Sequence, residues 1–436
     1  MRCIAVALLL LPWGCSDDVL PPDDAGTDAA PPDASIDAPA PETGPDLGPD
    51  APPPDSQSCA APAPVDTRKL FTALEADLAT LTDPAKRAAR IDTFMKDVAV
   101  AGGTPLRDAT HVVFLYRGLP TGTLSVAGTF NGWTPGADPM QTFGGTDLCY
   151  LDKPVAPAGQ EYKLVTAAGT WLQDPLNRNV TWDGIPSAGL GAFNSVVPPW
   201  SATGAKGRLE WLQVASPELG NTRDVFVYLP AAYDQESCAR YGALLVNDGN
   251  ESITRSHFDQ VADATIAAGK ARPVILVFVA LASQADRMSE YSCDAADKGD
   301  EYADFLCDTL LPLVDKTYRT EGTPQSRGVI GASMGGLSAY AALWWRNDCL
   351  RRAGAQSGSF FYKSDMMIDR VKGSTSVQVS HAYLDNGLDN LDCTHDMRDA
   401  LKAQSIPVYH WENTTQDHEW SAWQDRFDEA LAHLFP

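Results

Sequence analysis

This chain has little of several things, and each shortage excludes something. Basic residues are scarce: 33 Lys and Arg stand against 57 Asp and Glu, a formal charge of −24 over 436 residues. Phosphate recognition needs a basic footprint, so nucleic acid is not expected as a partner. Docking on anionic lipid through a polybasic patch is excluded for the same reason. No apolar run reaches the roughly 18 residues that a membrane-spanning helix requires. None of the nine cysteines stands in C-x-x-C spacing, which leaves no cysteine-based zinc site. Residues 16–57 have no Lys or Arg but 11 acidic residues, so with Arg2 ahead of them residues 58–436 carry −14. What remains is ordinary. With 44% hydrophobic and 21% charged residues, the chain can build the cores of about two to four domains.

The first residues read as an address. Met1-Arg2 is followed by an apolar stretch, Ile4–Leu11, and then by Pro12-Trp13-Gly14-Cys15. One charge before a short apolar run is a secretory signal, not a structural helix. The Gly14-Cys15 ending resembles a bacterial lipoprotein signal, although Pro12 stands where such signals carry an aliphatic residue. That resemblance implies a lipid on Cys15 and an outward-facing place on a bacterial envelope, the lipid anchor being the one membrane contact. Plain secretion with Cys15 unmodified is the alternative. Residues 16–65 are almost entirely Pro, Asp and Ala. They cannot bury enough apolar surface to offset ordering entropy, and they read as an extended, disordered tether. Cys3 leaves with the signal and Cys15 is taken by lipid, so seven cysteines remain. In an exported chain they are expected in disulfides, with one thiol left over.

From residue 66 to 107 the pattern is helical. Leu70, Leu74, Leu78 and Leu81 share one face. Asp83-Pro84 opens a second helix with Ile91, Phe94, Met95 and Val98 along one side, and Gly102-Gly103 stops it. Residues 108–200 change period. Val112–Tyr116, Leu124–Val126, Tyr162–Val165 and Ser195–Val197 are short strands separated by turn residues, the pattern of a small β-sandwich. Within it, Gly128-Thr-Phe-Asn-Gly-Trp133, Glu161-Tyr-Lys163, Gly169-Thr-Trp171 and Asp174-Pro-Leu-Asn177 resemble the early-set immunoglobulin-like module that precedes glycogen-debranching enzymes. In sugar-binding members of that family two Trp stack on glucose while a Lys and an Asn bond hydroxyls. The positions that match are Trp133, Lys163, Trp171 and Asn194. Other members bind nothing and only pack against a catalytic domain.

After a linker at 199–206, strands and helices alternate from 207 to 436. Asp224–Leu229, Gly242–Val246, Pro273–Val279, Arg327–Ile330, Val377–Tyr383 and Val408–Trp411 read as strands. Ile253–Gly269 and Ala303–Tyr318 read as helices. Such alternation predicts a mostly parallel sheet flanked by helices. Between the strand Gly328–Ile330 and the helix Leu337–Trp345 stands Gly331-Ala-Ser333-Met-Gly335-Gly336. A G-x-S-x-G turn in that context presents its serine above the sheet as a nucleophile. A serine hydroxyl needs a base, and the base follows an acid along the chain. Five histidines lie downstream. His410 and His381 fall in strands, His433 in the terminal helix and His395 at the start of an Asp-rich helix. His418 falls on a polar loop between the last strand and the last helix, the expected place for the base. The acid comes from Leu384–Asn390, where Asp385, Asp389 and the nearby Asp392 are available. Asp389 is the expected acid, and Asp385 is expected to bond turn amides.

Gly-Ala-Ser-Met-Gly-Gly, Gly387-Leu-Asp389 and His418-Glu-Trp420-Ser-Ala-Trp423 together resemble the esterase D and enterochelin-esterase-like α/β-hydrolases. Arg287-Met-Ser-Glu-Tyr291 and Leu310-Leu-Pro-Leu-Val314 fit the same pattern. The resemblance implies an oxyanion hole of two backbone amides, those of Met334 and, after Asn247-Asp248-Gly249, of Asn250. Gln416-Asp417 departs from the Gly-Gly common before the histidine. The fold implied is an α/β-hydrolase preceded by a small immunoglobulin-like sandwich. The activity implied is serine ester hydrolysis without metal or organic cofactor, on a small-molecule or polysaccharide ester. Feruloyl or acetyl esters of carbohydrate lead. A siderophore trilactone, acyl transfer to a sugar, or an inactive tethered carbohydrate-binding lipoprotein are the alternatives. Trp420 and Trp423 are expected to pack the last helix.

Overall fold

The computed structural model describes residues 61, 63–154, 159–185, 193–198, 200, 206–374, 376–413 and 415–436. The signal, Cys15 and nearly all of the acidic stretch lie outside them.

Eight strands build the sheet of the second half: β1 (Arg208–Ser216), β2 (Asn221–Leu229), β3 (Gly242–Val246), β4 (Val274–Val279), β5 (Arg327–Ala332), β6 (Arg352–Gln356), β7 (His381–Asn386) and β8 (Val408–Glu412). Their spatial order is β1-β2-β4-β3-β5-β6-β7-β8. β1, β2 and β4 pair antiparallel, and β4-β3-β5-β6-β7-β8 run parallel. The chain reverses its lateral direction at β3, whose neighbours are β4 and β5. Ligands of open α/β sheets bind beyond the strand carboxyl ends at such a reversal.

β4 shows why these residues are strands. All six, Val-Ile-Leu-Val-Phe-Val, are fully buried, as a strand covered on both faces requires. On one side of the sheet its residues share a core with Tyr302, Phe305, Leu337, Leu343, Met367 and Met397 from one layer of helices. On the other side the core includes Phe258, Phe427 and Leu431. Each such side chain contributes about 1.5–3 kcal/mol by leaving water. Cys307–Cys349 closes a span of 42 residues across the first layer, worth about 4 kcal/mol on the chain-entropy account. Cys149 and Cys293 are both buried thiols, so the expectation of a single leftover thiol does not hold. Each sits in an apolar cluster.

The first half has three layers. Helices Arg68–Thr80 and Pro84–Val100 pack Phe71, Leu74, Leu78, Ile91, Phe94 and Val98 against Val113 and Leu115 of the strand His111–Arg117. Asp83 caps the second helix by accepting from Lys86 N at 3.0 Å, with Pro84 in its first turn, as expected. The opposite face of that strand packs Val112 and Phe114 on Val126, Tyr162 and Leu164 of a second sheet. This second sheet joins the second half of the chain directly. Its strand Asn179–Trp182 pairs with β1 through Leu209 and Glu210, so one sheet runs through both halves.

Three details differ from the sequence reading. Ile253–Gly269 is two helices, α1 (Gly249–Thr254) and α2 (Phe258–Ala267). The break falls at His257, whose φ is 47°, beside Ser256, whose hydroxyl reaches the Trp420 carbonyl. β7 begins at His381, not at Val377. β1 and β6 were not foreseen as strands.

Candidate active site

Ser333 sits between β5 and the helix α3 (Met334–Trp345), with φ 56° and ψ −123°. An L residue holds that backbone only under compulsion. The compulsion is the close return of the helix onto the strand: a Cβ on Gly331 would come within 2.5 Å of the Gly335 carbonyl carbon. The turn leaves Ser333 partly exposed while Met334, Gly335 and Gly336 are buried. Its hydroxyl lies 3.2 Å from that of Ser359, a residue the motif did not point to. The Ser359 N–H in turn donates to the Ser333 carbonyl.

Asp389 follows β7, and His418 follows β8. The two strands are parallel neighbours, so their following loops emerge side by side. The loops touch: Leu388 N donates to the Gln416 carbonyl at 2.8 Å. Gly387 permits this, since a Cβ there would meet the Gln416 oxygen at 2.2 Å. His418 Nδ1 hydrogen-bonds Asp389 Oδ2. Burial alone would raise the Asp389 carboxyl, but the hydrogen bond and charge of His418, with Arg426 beyond, hold it below its ordinary value. Among the described residues no hydrogen bond joins His418 to Ser333.

The other Asp389 oxygen accepts from Ser357 Oγ at 3.4 Å. Arg426 and Trp423 donate to that hydroxyl at 3.0 and 3.3 Å. The Trp423 ring stands edge-on to His418 at 5.0 Å, and Trp420 packs on Trp423. Both Trp therefore lie in the wall behind the histidine as well as in the helix α4 (Trp420–Leu434). Gln416, where glycine is usual, bonds Asp425 and Arg426 of that helix and so moors the loop. Asp385 is fully buried. It pairs with Arg426, also fully buried, and accepts the Ser357 N–H across the sheet. It takes no part in the turn. Asp392 is exposed.

The third wall follows β3. Asp248 has φ 52° and is gripped by Arg287 through two bonds of 2.8 Å. Asn247 Nδ2 donates to the Gly335 carbonyl, and Tyr302 donates to Asn247 Oδ1, both at 2.8 Å. The loop after β3 is thereby tied to the helix behind Ser333. Two first-turn amides result, Asn250 in α1 and Met334 in α3. Neither has a backbone acceptor among the described residues, as helix starts leave their N–H groups free. Ser357, Ser359, Tyr302 and Arg426 were invisible to motif reading, because their partners lie 26 to 69 residues away in sequence.

The front sheet places Trp133 and Trp171 together, with ring centroids 6.3 Å apart and planes 44° from parallel. Trp171 is 41% exposed. Lys163 is bound to Asp183 at 3.0 Å. Asn194 is buried and donates to Glu161 at 2.7 Å.

The model of the esterase family matches residues 216–434. Over 204 residues the chain is 29% identical to the iron(III) enterobactin esterase of Dickeya dadantii (strain 3937), covering 44% of each. It is 29% identical over 156 residues to an uncharacterized protein of Bacillus subtilis (strain 168), covering 33% of this chain and 60% of that one. It is 23% identical over 238 residues to the endo-1,4-beta-xylanase/feruloyl esterase of Xylanibacter ruminicola, covering 52% and 31%. The chain thus spans between about a third and three fifths of the length of these relatives. Similar solved structures include a ferulic acid esterase (20% identity, 53% of this chain and 98% of that chain, TM-score 0.46). Another is the enterobactin esterase of Shigella flexneri (17%, 76% and 95%, TM-score 0.47).

Proposed function

The chain belongs to the esterase family, and from that premise we propose that Ser333, His418 and Asp389 hydrolyse a carboxylic ester through an acyl-enzyme. The observation that carries this reading is the Asp389–His418 hydrogen bond, formed beside a serine held at positive φ between strand and helix. With Asp389 on Nδ1, the imidazole presents Nε2 as its basic nitrogen. Ser333 Oγ exchanges its bond to Ser359 for one to His418 and attacks the ester carbonyl, and His418 takes the proton. The oxyanion accepts the N–H groups of Met334 and Asn250, each worth about 3–4 kcal/mol at the transition state. His418 then protonates the leaving alcohol. Water, deprotonated by the same histidine, releases the acid and regenerates Ser333.

For substrate we propose an acyl ester, feruloyl or acetyl, carried on carbohydrate. The front module, read as immunoglobulin-like, would bring the sugar to Trp133 and Trp171, whose faces suit the apolar side of a pyranose. Lys163 and Asn194 would join only by leaving Asp183 and Glu161. A lipid on Cys15 and the acidic stretch would hold the enzyme out from a bacterial envelope. A second reading, a siderophore trilactone, is favoured by the similarity to the Dickeya dadantii enzyme.

The test is hydrolysis of p-nitrophenyl acetate, methyl ferulate and a catecholate trilactone by wild type and Ser333→Ala. Serine-dependent turnover of ferulate well above the trilactone supports the carbohydrate-ester reading. The reverse ratio supports the second. Turnover that survives Ser333→Ala removes the mechanism.

A further inference from the structure

Two histidines set aside as catalytic bases meet each other elsewhere. His395 lies on the helix Leu391–Ala403, and His410 and Glu412 lie on β8. Each brings a ligating atom within 4.8 Å of the other two. His410 and Glu412 are two apart on one strand and so share a face. His395 Nε2 is 3.0 Å from a Glu412 oxygen, and the two imidazoles stand edge to face at 5.4 Å.

The partner of His410 settles its tautomer. Its Nε2 lies 2.8 Å from Asn386 Oδ1. Asn386 is fully buried, and its NH2 group donates to the Gly387 carbonyl. The amide oxygen is therefore the acceptor, and His410 Nε2 carries the hydrogen. Nδ1 is left as a lone pair. An imidazole fixed in this way by an amide oxygen on one nitrogen, with the other free to ligate, is how proteins orient metal-binding histidines. Ligand atoms around tetrahedral zinc, with bonds of about 2.1 Å, stand about 3.4 Å apart. Closing from 4.8 Å to that spacing needs inward movement of about 1 Å or less per side chain. Arg398, one turn along the same helix, has its charge paired with Asp399 at 2.8 Å.

We infer that His395, His410 and Glu412 form a site for a divalent transition metal of the zinc class, two imidazoles and one carboxylate with the fourth position open to water. Its place suggests what it does. Asp389 stands two residues before the helix that carries His395. Glu412 ends β8, and the next loop carries His418. A bound ion would cross-link the roots of both segments without touching substrate. The site stands independently of the esterase mechanism.

The experiment is titration of the chelator-treated full chain with zinc chloride by calorimetry, with thermal unfolding alongside. One ion per chain at micromolar or tighter affinity, and a raised unfolding midpoint, are expected. His395→Ala and Glu412→Gln change partly exposed side chains and are expected to fold as wild type, which circular dichroism checks. Each should weaken binding tenfold or more and cancel the midpoint shift. No binding in the micromolar range, or equal binding by both variants, would overturn the inference.

Discussion

Two surfaces of this molecule carry recognisable sequence motifs, and they are built in opposite ways. At the carboxyl ends of β5, β7 and β8 the polar groups are fixed from behind and left open in front. Asp389 leans on Ser357, Trp423 and Arg426 and spends its other oxygen on His418. The amides of Met334 and Asn250 have no backbone acceptor among the described residues. On the outer face of the front sheet the polar groups are already spent. Lys163 belongs to Asp183, and Asn194 to Glu161. Of the four matching residues, the Trp133–Trp171 pair stays open. A preorganised site gives its full electrostatic benefit to a reacting group. A group that must first release a carboxylate gives much less. Perturbing the first surface should therefore change rates by orders of magnitude, and perturbing the second should change weak binding only.

The largest expected effect is Ser333→Ala, which should lower kcat on p-nitrophenyl acetate by about 10⁴-fold or more. Asp389→Asn comes next, at roughly 10³–10⁴-fold, because the amide favours the wrong imidazole tautomer. KM should move little in either variant, and a steady-state series measures both. A loss below tenfold for Asp389→Asn would erase the contrast between the two surfaces.

The next effect lies inside the front module and concerns stability. Asp174 is fully buried, and burial pushes its carboxyl up to about 6, although Tyr162 and the Leu176 amide donate to it. An unfolded Asp loses its proton near pH 3.9. Between about pH 4 and pH 6 the folded state thus binds more protons than the unfolded one. Stability from this group is greatest below pH 4 and falls as pH rises through 6, by on the order of 3 kcal/mol. Asp174→Asn should flatten that decline, read as unfolding midpoint against pH. An unchanged slope would refute the assignment.

The smallest effect is at Trp171. Removing a side chain this exposed should change stability by less than about 0.5 kcal/mol. Affinity electrophoresis on xylan, starch and glycogen should nevertheless lose retardation in Trp133→Ala and Trp171→Ala. Equal mobility of wild type and both variants would leave the front surface as packing alone.

These contrasts also explain what could be read from the sequence. G-x-S-x-G was legible because local backbone geometry dictates small residues there. Asp389 and His418 were legible as polar residues in loops after predicted strands. β6 was not, because Arg-Ala-Gly-Ala-Gln lacks the β-branched residues that mark a strand. Its small residues answer to α3, where a Cβ on Gly336 would press on Ala355 at 2.8 Å. The break at His257 carried no local signal either: the contact beside it, Ser256 to the Trp420 carbonyl, spans 164 residues of sequence. The buttresses of the acid and of the β3 loop are equally long-range, and no local pattern carries them. The His395–His410–Glu412 cluster left no local pattern, because its members are split between a helix and a strand.

The most direct test is labelling of the folded chain with a fluorophosphonate, followed by peptide mapping. The account predicts one stoichiometric adduct on Ser333, formed far more slowly in His418→Ala. An adduct on another residue, or none in a protein that still hydrolyses p-nitrophenyl acetate, would contradict it.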